Sequence, residues 1–76
     1  SRIAVLKAYR GYGLGKKIVR YLEAKAIDLQ LSELTLWPHD HLENFYADLG
    51  YETFGNTEVV AEHQLIHMRK TLLKTT

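Results

Sequence analysis

The 76-residue chain has no cysteine, and it has only one proline and one methionine. Without cysteine it has no disulfide framework, no thiolate zinc site and no cysteine nucleophile. Its apolar runs reach about four residues, whereas a membrane-spanning helix needs about 20. No signal-peptide core follows the basic start of the chain. These absences predict a protein of the cytoplasm that neither crosses nor contacts a membrane.

What the chain does contain is an ordinary globular composition, with 46% hydrophobic and 25% charged residues. Such a composition is typical of a folded domain and not of a disordered or fibrous segment. A chain of this length forms one domain at most, and it buries only about 60% of the surface that its unfolded form exposes. We therefore expect a thin hydrophobic core.

The charges are distributed unevenly along the chain. The first 20 residues carry a net charge of +6, and the other 56 residues hold four bases and nine acids, so they carry 4 − 9 = −5. A polyanionic partner should therefore meet the amino-terminal end. The alternative is a solvated basic face. The six basic residues are Arg2, Lys7, Arg10, Lys16, Lys17 and Arg20.

Hydrophobic periodicity predicts a strand, a helix and a second strand in the first half of the chain. Residues 3–6 form an apolar run, as in a strand covered on both faces, and residues 34–37 form a second strand that Pro38 ends. Between them, a helix should occupy about residues 13–29, because apolar residues recur there at helical spacing. Such a unit makes the two strands parallel, with a right-handed crossover. The periodic apolar residues are Leu14, Ile18, Val19, Leu22 and Ala26.

The second half predicts a short helix and two antiparallel strands. The helix contains Leu42, Phe45, Tyr46 and Leu49, with Asp40 as its N-cap and Gly50 just past its end. The strands should cover residues 51–54 and 64–72, joined by a turn at residues 55–57 and a polar stretch that bulges or wanders. The predicted fold is α/β, in the order β-α-β-α-β-β, with a mixed sheet that contains a parallel βαβ unit.

Three alternating glycines, Gly11, Gly13 and Gly15, stand where the first strand gives way to the helix. Glycine lets a ligand approach bare backbone, and a helix N-terminus offers free amide donors to an anion. The spacing is neither the dinucleotide-binding G-x-G-x-x-G nor the P-loop. The pattern predicts a phosphate-binding loop, and a loop that serves only to turn the chain is the alternative.

Charge placement supports the phosphate hypothesis independently. Lys16 and Lys17 lie in the first helical turn, where the helix dipole disfavours each cation by about 0.3–1 kcal/mol. A bound pyrophosphate would compensate, and Arg10 and Arg20 are near enough in sequence to assist.

Two stretches together resemble one protein family. The residues 3–5, followed by RGYGLG at 10–15, resemble the R/Q-x-x-G-x-G/A signature of the GNAT acetyltransferases. NFYADLGY at 44–51 is similar to the helix ending of that family, FY-x-x-x-GF, and the resemblance extends to residues 68–70. It therefore covers nearly the whole chain, and it is strongest to small bacterial ElaA-like and YjcF-like members.

The resemblance implies the C-terminal half of a GNAT fold, so that residues 1–76 are a partial acetyltransferase domain without its amino-terminal strands and helices. It implies acetyl-CoA as the acetyl donor, bound where the first strand splays from the second, and direct attack by a primary amine. Tyr46 matches the tyrosine that protonates the departing thiolate. The implied cofactor-binding residues are Ile3, Ala4, Val5, Arg10, Gly11, Tyr12, Gly13, Leu14 and Gly15.

The family pattern is not followed everywhere. His39 stands where many relatives have a cofactor-contacting asparagine, so that contact is not carried over. Asp40 and His41 follow it, and a neutral histidine here could take a proton from the acceptor, although polar caps of a helix are the simpler interpretation. The pairs His39/His41 and His63/His67 lack an assured third ligand, so no metal is predicted.

The expected partner is a small-molecule or peptide amine, with no nucleic acid and no membrane. If the preceding strands are absent, the exposed edge of the first strand favours a homodimer or pairing with the missing amino-terminal half. Two alternatives are a fragment that binds CoA or another phosphorylated ligand without catalysis, and a nucleic-acid-binding module that uses the basic first 20 residues.

Overall fold

The computed structural model describes residues 5–8 and 15–73. Apart from a 3₁₀ turn at Asp40–Leu42, the described part contains two helices and four strands. In chain order they are β1 (Val5–Ala8), α1 (Lys16–Asp28), β2 (Glu33–Leu36), α2 (Glu43–Asp48), β3 (Glu52–Val60) and β4 (His63–Thr71).

The four strands form one mixed sheet in the spatial order β1-β2-β4-β3. β1 and β2, which precede and follow α1 in the chain, are adjacent parallel strands, as expected of a βαβ unit. β4 is antiparallel to β2 and to β3, and the Ile66 amide extends this pairing past β2 by donating to the Pro38 carbonyl at 2.9 Å. The predicted α/β class is confirmed.

The hydrophobic core lies between one face of the sheet and both helices, and we call this side the helix face. Alternate residues of β2 and β4 point to it because successive side chains of a strand point to opposite faces. Leu34, Leu36, Ile66 and Met68 belong to the same buried cluster as residues of α1 and α2. The helical members of the cluster are Val19, Tyr46 and Leu49.

Helix α1 buries a narrower stripe than its periodicity predicts. Val19 and Ala26 are fully buried, but Ile18, which was expected on the same stripe, is 51% exposed. The helix ends in a Schellman motif: the Gln30 amide donates to the Ile27 carbonyl and the Leu31 amide to the Ala26 carbonyl. Gln30 takes the left-handed position at φ 60° that glycine usually fills.

The predicted second helix is divided, because a 3₁₀ turn precedes the short α2. Asp40 was expected to cap it, but this prediction is wrong. The N-cap of the 3₁₀ turn is His39 and the N-cap of α2 is Leu42, and neither makes a capping side-chain bond. The predicted end is confirmed, because Gly50 has φ 102° and its amide donates to the Ala47 carbonyl at 3.0 Å.

The β3–β4 hairpin turns later than the sequence predicts. The turn expected at residues 55–57 is wrong, since these residues lie within β3 at a register irregularity between Phe54 and Glu58. The chain reverses instead at Ala61 and Glu62, whose φ angles are 50° and 65°. Two consecutive positive φ angles are typical of a type I′ hairpin turn, which fits the right-handed twist of the flanking strands even without glycine.

The splay between the first two strands that the family resemblance implies is absent within β1. All four of its residues pair with β2, from Val5 opposite Glu33 to Ala8 opposite Leu36. A gap for a cofactor arm would therefore have to open beyond Ala8, outside the described residues.

Candidate functional site

The topology brings several chain segments together at one edge of the sheet. Because β1 and β2 are parallel, their carboxyl ends lie at the same edge, and α1 begins there. β4 is antiparallel to β2, so the start of β4 and the Ala61–Glu62 turn lie at this edge too. Ligands of open α/β sheets bind outside the carboxyl ends of the parallel strands. We call this edge the carboxyl rim.

The start of α1 is free of features that would oppose an anion. Gly15 is its N-cap, in an extended conformation with φ −65° and ψ 155°, and it offers no side-chain cap. The Gly15 carbonyl accepts the first helical bonds, from the amides of Ile18 and Val19 at 3.0 and 3.1 Å. The amides of Lys16 and Lys17 precede these bonds, so they point out of the helix. The first turn contains no acidic residue.

The predicted cofactor-binding residues fall mostly outside the described part of the chain. Val5 is the first residue of β1 and Gly15 is the N-cap of α1, so the two flank the glycine-rich segment on its strand and helix sides. The remaining predicted residues lie outside the described residues: Ile3, Ala4, Arg10, Gly11, Tyr12, Gly13 and Leu14.

Tyr46, the predicted general acid, is 1% exposed in the middle of α2. Its ring packs edge-on against Phe45 and Tyr51, with centroid distances of 5.0 and 6.2 Å. The side chain is therefore held in the core by aromatic contacts. Its catalytic role stays a prediction.

The opposite side of the sheet, which we call the open face, bears no helix among the described residues. A row of aromatic and charged side chains crosses this face from the end of β2 to β3. The His67 ring stacks on Trp37 with a centroid distance of 4.0 Å and lies 5.8 Å from the Phe54 ring. Arg69 lies over Phe54 at 4.5 Å. His67 Nε2 is 3.2 Å from Glu58 Oε2, which makes a histidine–carboxylate pair.

All four histidines of the chain lie toward the carboxyl rim. His39 packs edge-on against His41 and His63, with ring centroids 5.6 and 4.8 Å away. Among the residues that the structure describes, no group of three or more histidine, aspartate or glutamate side chains is arranged to hold a metal ion.

A buried ionic network fixes α1 against the helix face. Glu23 accepts from Tyr51 Oη at 2.6 Å and from Lys70 Nζ at 3.2 Å through one oxygen, and from Arg20 at 2.8 Å through the other. Lys70 also donates to the Leu49 carbonyl at 2.9 Å. The network therefore joins α1, the end of α2 and β4.

The network shifts two pKa values in opposite directions. Burial alone would raise the pKa of Glu23, but the hydrogen bonds from Tyr51, Arg20 and Lys70, with the Lys70 charge, outweigh it and place this pKa below its ordinary 4.5. Burial, followed by the hydrogen bond to the Glu23 carboxylate, raises the pKa of Tyr51 well above its usual range. Glu23 is thus ionised and Tyr51 neutral near pH 7.

Sequence reasoning missed both the His67–Glu58 pair and the Glu23 network. A signal for the network was present: Glu23 stands on the stripe of Val19, Leu22 and Ala26, where an unpaired carboxylate would be costly. For His67, the signal was the alternation in β4, which puts Ile66 and Met68 on one face and His67 on the other. Glu58 carried no signal, because its position depends on the irregularity in β3.

Comparison with known proteins identifies the family of this chain. Residues 1–72 match the family model described as the acetyltransferase (GNAT) domain. The chain belongs to the GNAT acetyltransferase family. A Streptococcus pyogenes protein named as an uncharacterized acetyltransferase is 31% identical over 74 residues, which is 97% of this chain and 51% of that protein.

Other relatives agree with this membership. A Bacillus subtilis (strain 168) protein named as an acetyltransferase is 42% identical over 53 residues, which is 70% of this chain and 36% of that protein. A crystal structure from Lactobacillus plantarum, named as an N-acetyltransferase, shares the fold at a TM-score of 0.72 and 22% identity, over 84% of this chain and 44% of that one. The chain spans about half or less of these proteins. No helix in the described part combines the length and apolar character needed to cross a lipid bilayer.

Proposed function

We propose that the protein transfers an acetyl group from acetyl-CoA to a primary amine. The observation that carries the proposal is the start of α1 in a chain of the GNAT family: a helix whose first turn offers free amides and two lysines, with no acid and no capping side chain. This chemistry suits a pyrophosphate, since helix N-termini attract anions. Acetyl-CoA supplies an activated acyl thioester when it is bound.

The rest of the carboxyl rim fits the same reaction. Gly15 leaves open space, because a Cβ built there would meet no atom of the described residues within 4 Å. A phosphate could therefore approach the amides of Lys16 and Lys17 closely. The amine acceptor would come from the open face, which carries polar and aromatic side chains and no described helix.

Tyr46 is the proposed general acid for the departing thiolate. A phenol with a pKa near 10 is a poor donor to a thiolate whose conjugate acid has a pKa near 8.5, so the proton moves only if the two groups are already hydrogen-bonded. Burial and packing against Phe45 and Tyr51 hold the ring in one orientation. Such orientation is what this role requires.

Substitutions at Gly15 test the binding step. Gly15→Asp and Gly15→Asn are nearly isosteric, both are good N-caps, and both fit the observed backbone angles. Only the aspartate puts a negative charge beside the proposed pyrophosphate. We expect calorimetric titration of the full-length protein to show acetyl-CoA affinity weakened by about tenfold or more in Gly15→Asp and kept in Gly15→Asn. Equal affinity in both variants would contradict the site.

The chemical step is tested by thiol release with a panel of small amines, polyamines and lysine-containing peptides. Tyr46→Phe should reduce kcat on the order of 10²-fold with acetyl-CoA affinity unchanged, which is the size of a general acid's contribution. Tyr21→Phe on the exposed side of α1 is the matched control. Acetyl-CoA binding without turnover of any amine would favour a binding protein over a transferase.

A further inference from the structure

We propose that His67, held by Glu58 and Trp37, accepts the proton of the acceptor ammonium before the amine attacks. This inference rests on the proposed function and names a residue that the family resemblance does not supply. It starts from the three contacts of one imidazole on the open face: Trp37 beneath the ring, Phe54 beside it and a carboxylate at Nε2.

The contacts of His67 fix its ring. The stack on Trp37 has a centroid distance of 4.0 Å and an interplanar angle of 32°, and Glu58 Oε2 lies 3.2 Å from Nε2. The His67 side chain is 19% exposed, so solvent and a substrate can reach it while its neighbours hold its plane. A positioned and partly exposed imidazole has the properties of a general base.

Glu58 also selects the nitrogen that is free to act. An ionised carboxylate only accepts hydrogen bonds, so it favours the tautomer with hydrogen on Nε2 and leaves the lone pair on Nδ1. Nδ1 faces Gly55: a Cβ built on this glycine would stand 3.6 Å from it. Because Gly55 has no side chain, and its φ of 69° disfavours one, residue 55 places no side-chain atom against Nδ1.

The position of His67 in the sheet puts it toward the carboxyl rim. It lies opposite Trp37, the residue that follows β2 at the carboxyl rim. The ammonium would arrive on the open face, one strand away from the β1–β2 pair. Glu58 on β3 is paired with His67. The other charged or titratable groups around it on the neighbouring elements are His63 and Arg69 on β4, Glu52 paired with Arg69, and His39 past the end of β2.

The proton balance of the step is complete. R–NH3⁺ gives one proton to Nδ1 of His67, which later releases it to solvent. The free amine attacks the acetyl carbon, so that a C–N bond forms and the C–S bond breaks. The nitrogen loses a second proton as the amide forms, and the departing thiolate takes up one proton. The products are the N-acetyl amine and CoA thiol, with one proton released overall.

The experiment compares His67→Gln with His63→Gln, which removes an exposed imidazole from the start of the same strand. A histidine must be neutral to accept a proton, so a histidine base makes kcat/KM fall on the acid side of the profile. We expect His67→Gln in the full-length protein to lose on the order of 10²-fold in kcat/KM and to lose that acid limb, with acetyl-CoA affinity unchanged. His63→Gln should keep both.

Two further measurements separate proton transfer from structural support. His67→Ala leaves a slot on Trp37 that free imidazole can enter, and added imidazole should restore part of the rate. Glu58→Gln, at a half-exposed position, should lower kcat by about tenfold without changing acetyl-CoA affinity. A His67→Gln variant that keeps the parent's activity and acid limb would overturn the inference and leave the proposed function intact. A parent that acetylates no amine would overturn both.

Discussion

The two faces of the sheet use the same strands for different purposes. On the helix face, Leu34, Leu36 and Met68 pack with α1 and α2 into a buried cluster, and the buried carboxylate beside it, Glu23, is satisfied by three donors. On the open face, neighbouring residues along the sheet form the row of aromatic and charged side chains, which remains partly exposed. One side supplies the buried apolar contacts, whereas the other carries the side chains to which we assign a role in proton transfer.

This contrast follows from the geometry of strands. Because successive side chains alternate between faces, β4 places Met68 in the core and His67 on the open face with no loop between them. A reactive side chain next to a core residue on a strand is held more firmly than one on a loop. In a chain with so thin a core, this arrangement provides rigidity to the candidate site at no additional length.

The strongest test of the contrast pairs a core substitution with one on the open face. Leu36→Ala, at a position 1% exposed, should lower the free energy of unfolding by about 2–5 kcal/mol. Arg69→Ala removes a surface ion pair with Glu52 and a contact with Phe54, so it should cost about 1 kcal/mol or less. Urea titration measures both, and similar losses would show that the two faces contribute equally to stability.

A smaller effect should follow from the buried carboxylate. Glu23→Gln should reduce the free energy of unfolding by about 1–3 kcal/mol at pH 7, since Lys70 and Arg20 lose their charged partner. The folded-state pKa of Glu23 lies below its ordinary 4.5. Its stabilisation is therefore present above pH 4.5 and disappears as the pH falls through the lower folded-state value.

Parent and Glu23→Gln should accordingly converge in stability when the pH is lowered well below 4.5. Urea titrations at a series of pH values measure this convergence. Asp28→Asn, which neutralises an exposed carboxylate of the same helix, is the control. A gap between parent and variant that stays constant from pH 7 down to acid pH would contradict the network.

The smallest effect concerns the hairpin that carries Glu58 on the open face. Ala61→Asn with Glu62→Gly gives the turn residues that a type I′ hairpin prefers, at positions now held at φ 50° and 65° by other side chains. The double substitution should raise the unfolding free energy by about 1–2 kcal/mol, measured by thermal denaturation. Ala47→Asn in the exposed part of α2 is a control for composition and should stabilise nothing. Unchanged stability would argue against this turn.

Much of the fold could be predicted from local signals. The period of Val19, Leu22 and Ala26 indicated α1, and the conformational freedom of Gly50 marked the end of α2. The hairpin could not be predicted in this way, because Gly55 and Asn56 carry the stronger turn signal while Ala61 and Glu62 carry none. Pairing with β4 outweighs that local preference: Phe54 pairs with His67 and Glu58 with Leu65, so the glycine becomes an irregularity within a longer strand.

For the candidate site, the sequence by itself determined the glycine-rich approach to α1, the lysines of its first turn and the family to which they belong. These are local features, because a helix start and its charges lie within a few residues of one another. Only the tertiary structure decided that His67 stacks on Trp37, that Glu58 reaches its Nε2 and that Glu23 meets Lys70, 47 residues away. Such pairs depend on the register between strands and on how a helix docks, and these are set by the burial of the whole core and not by any single segment.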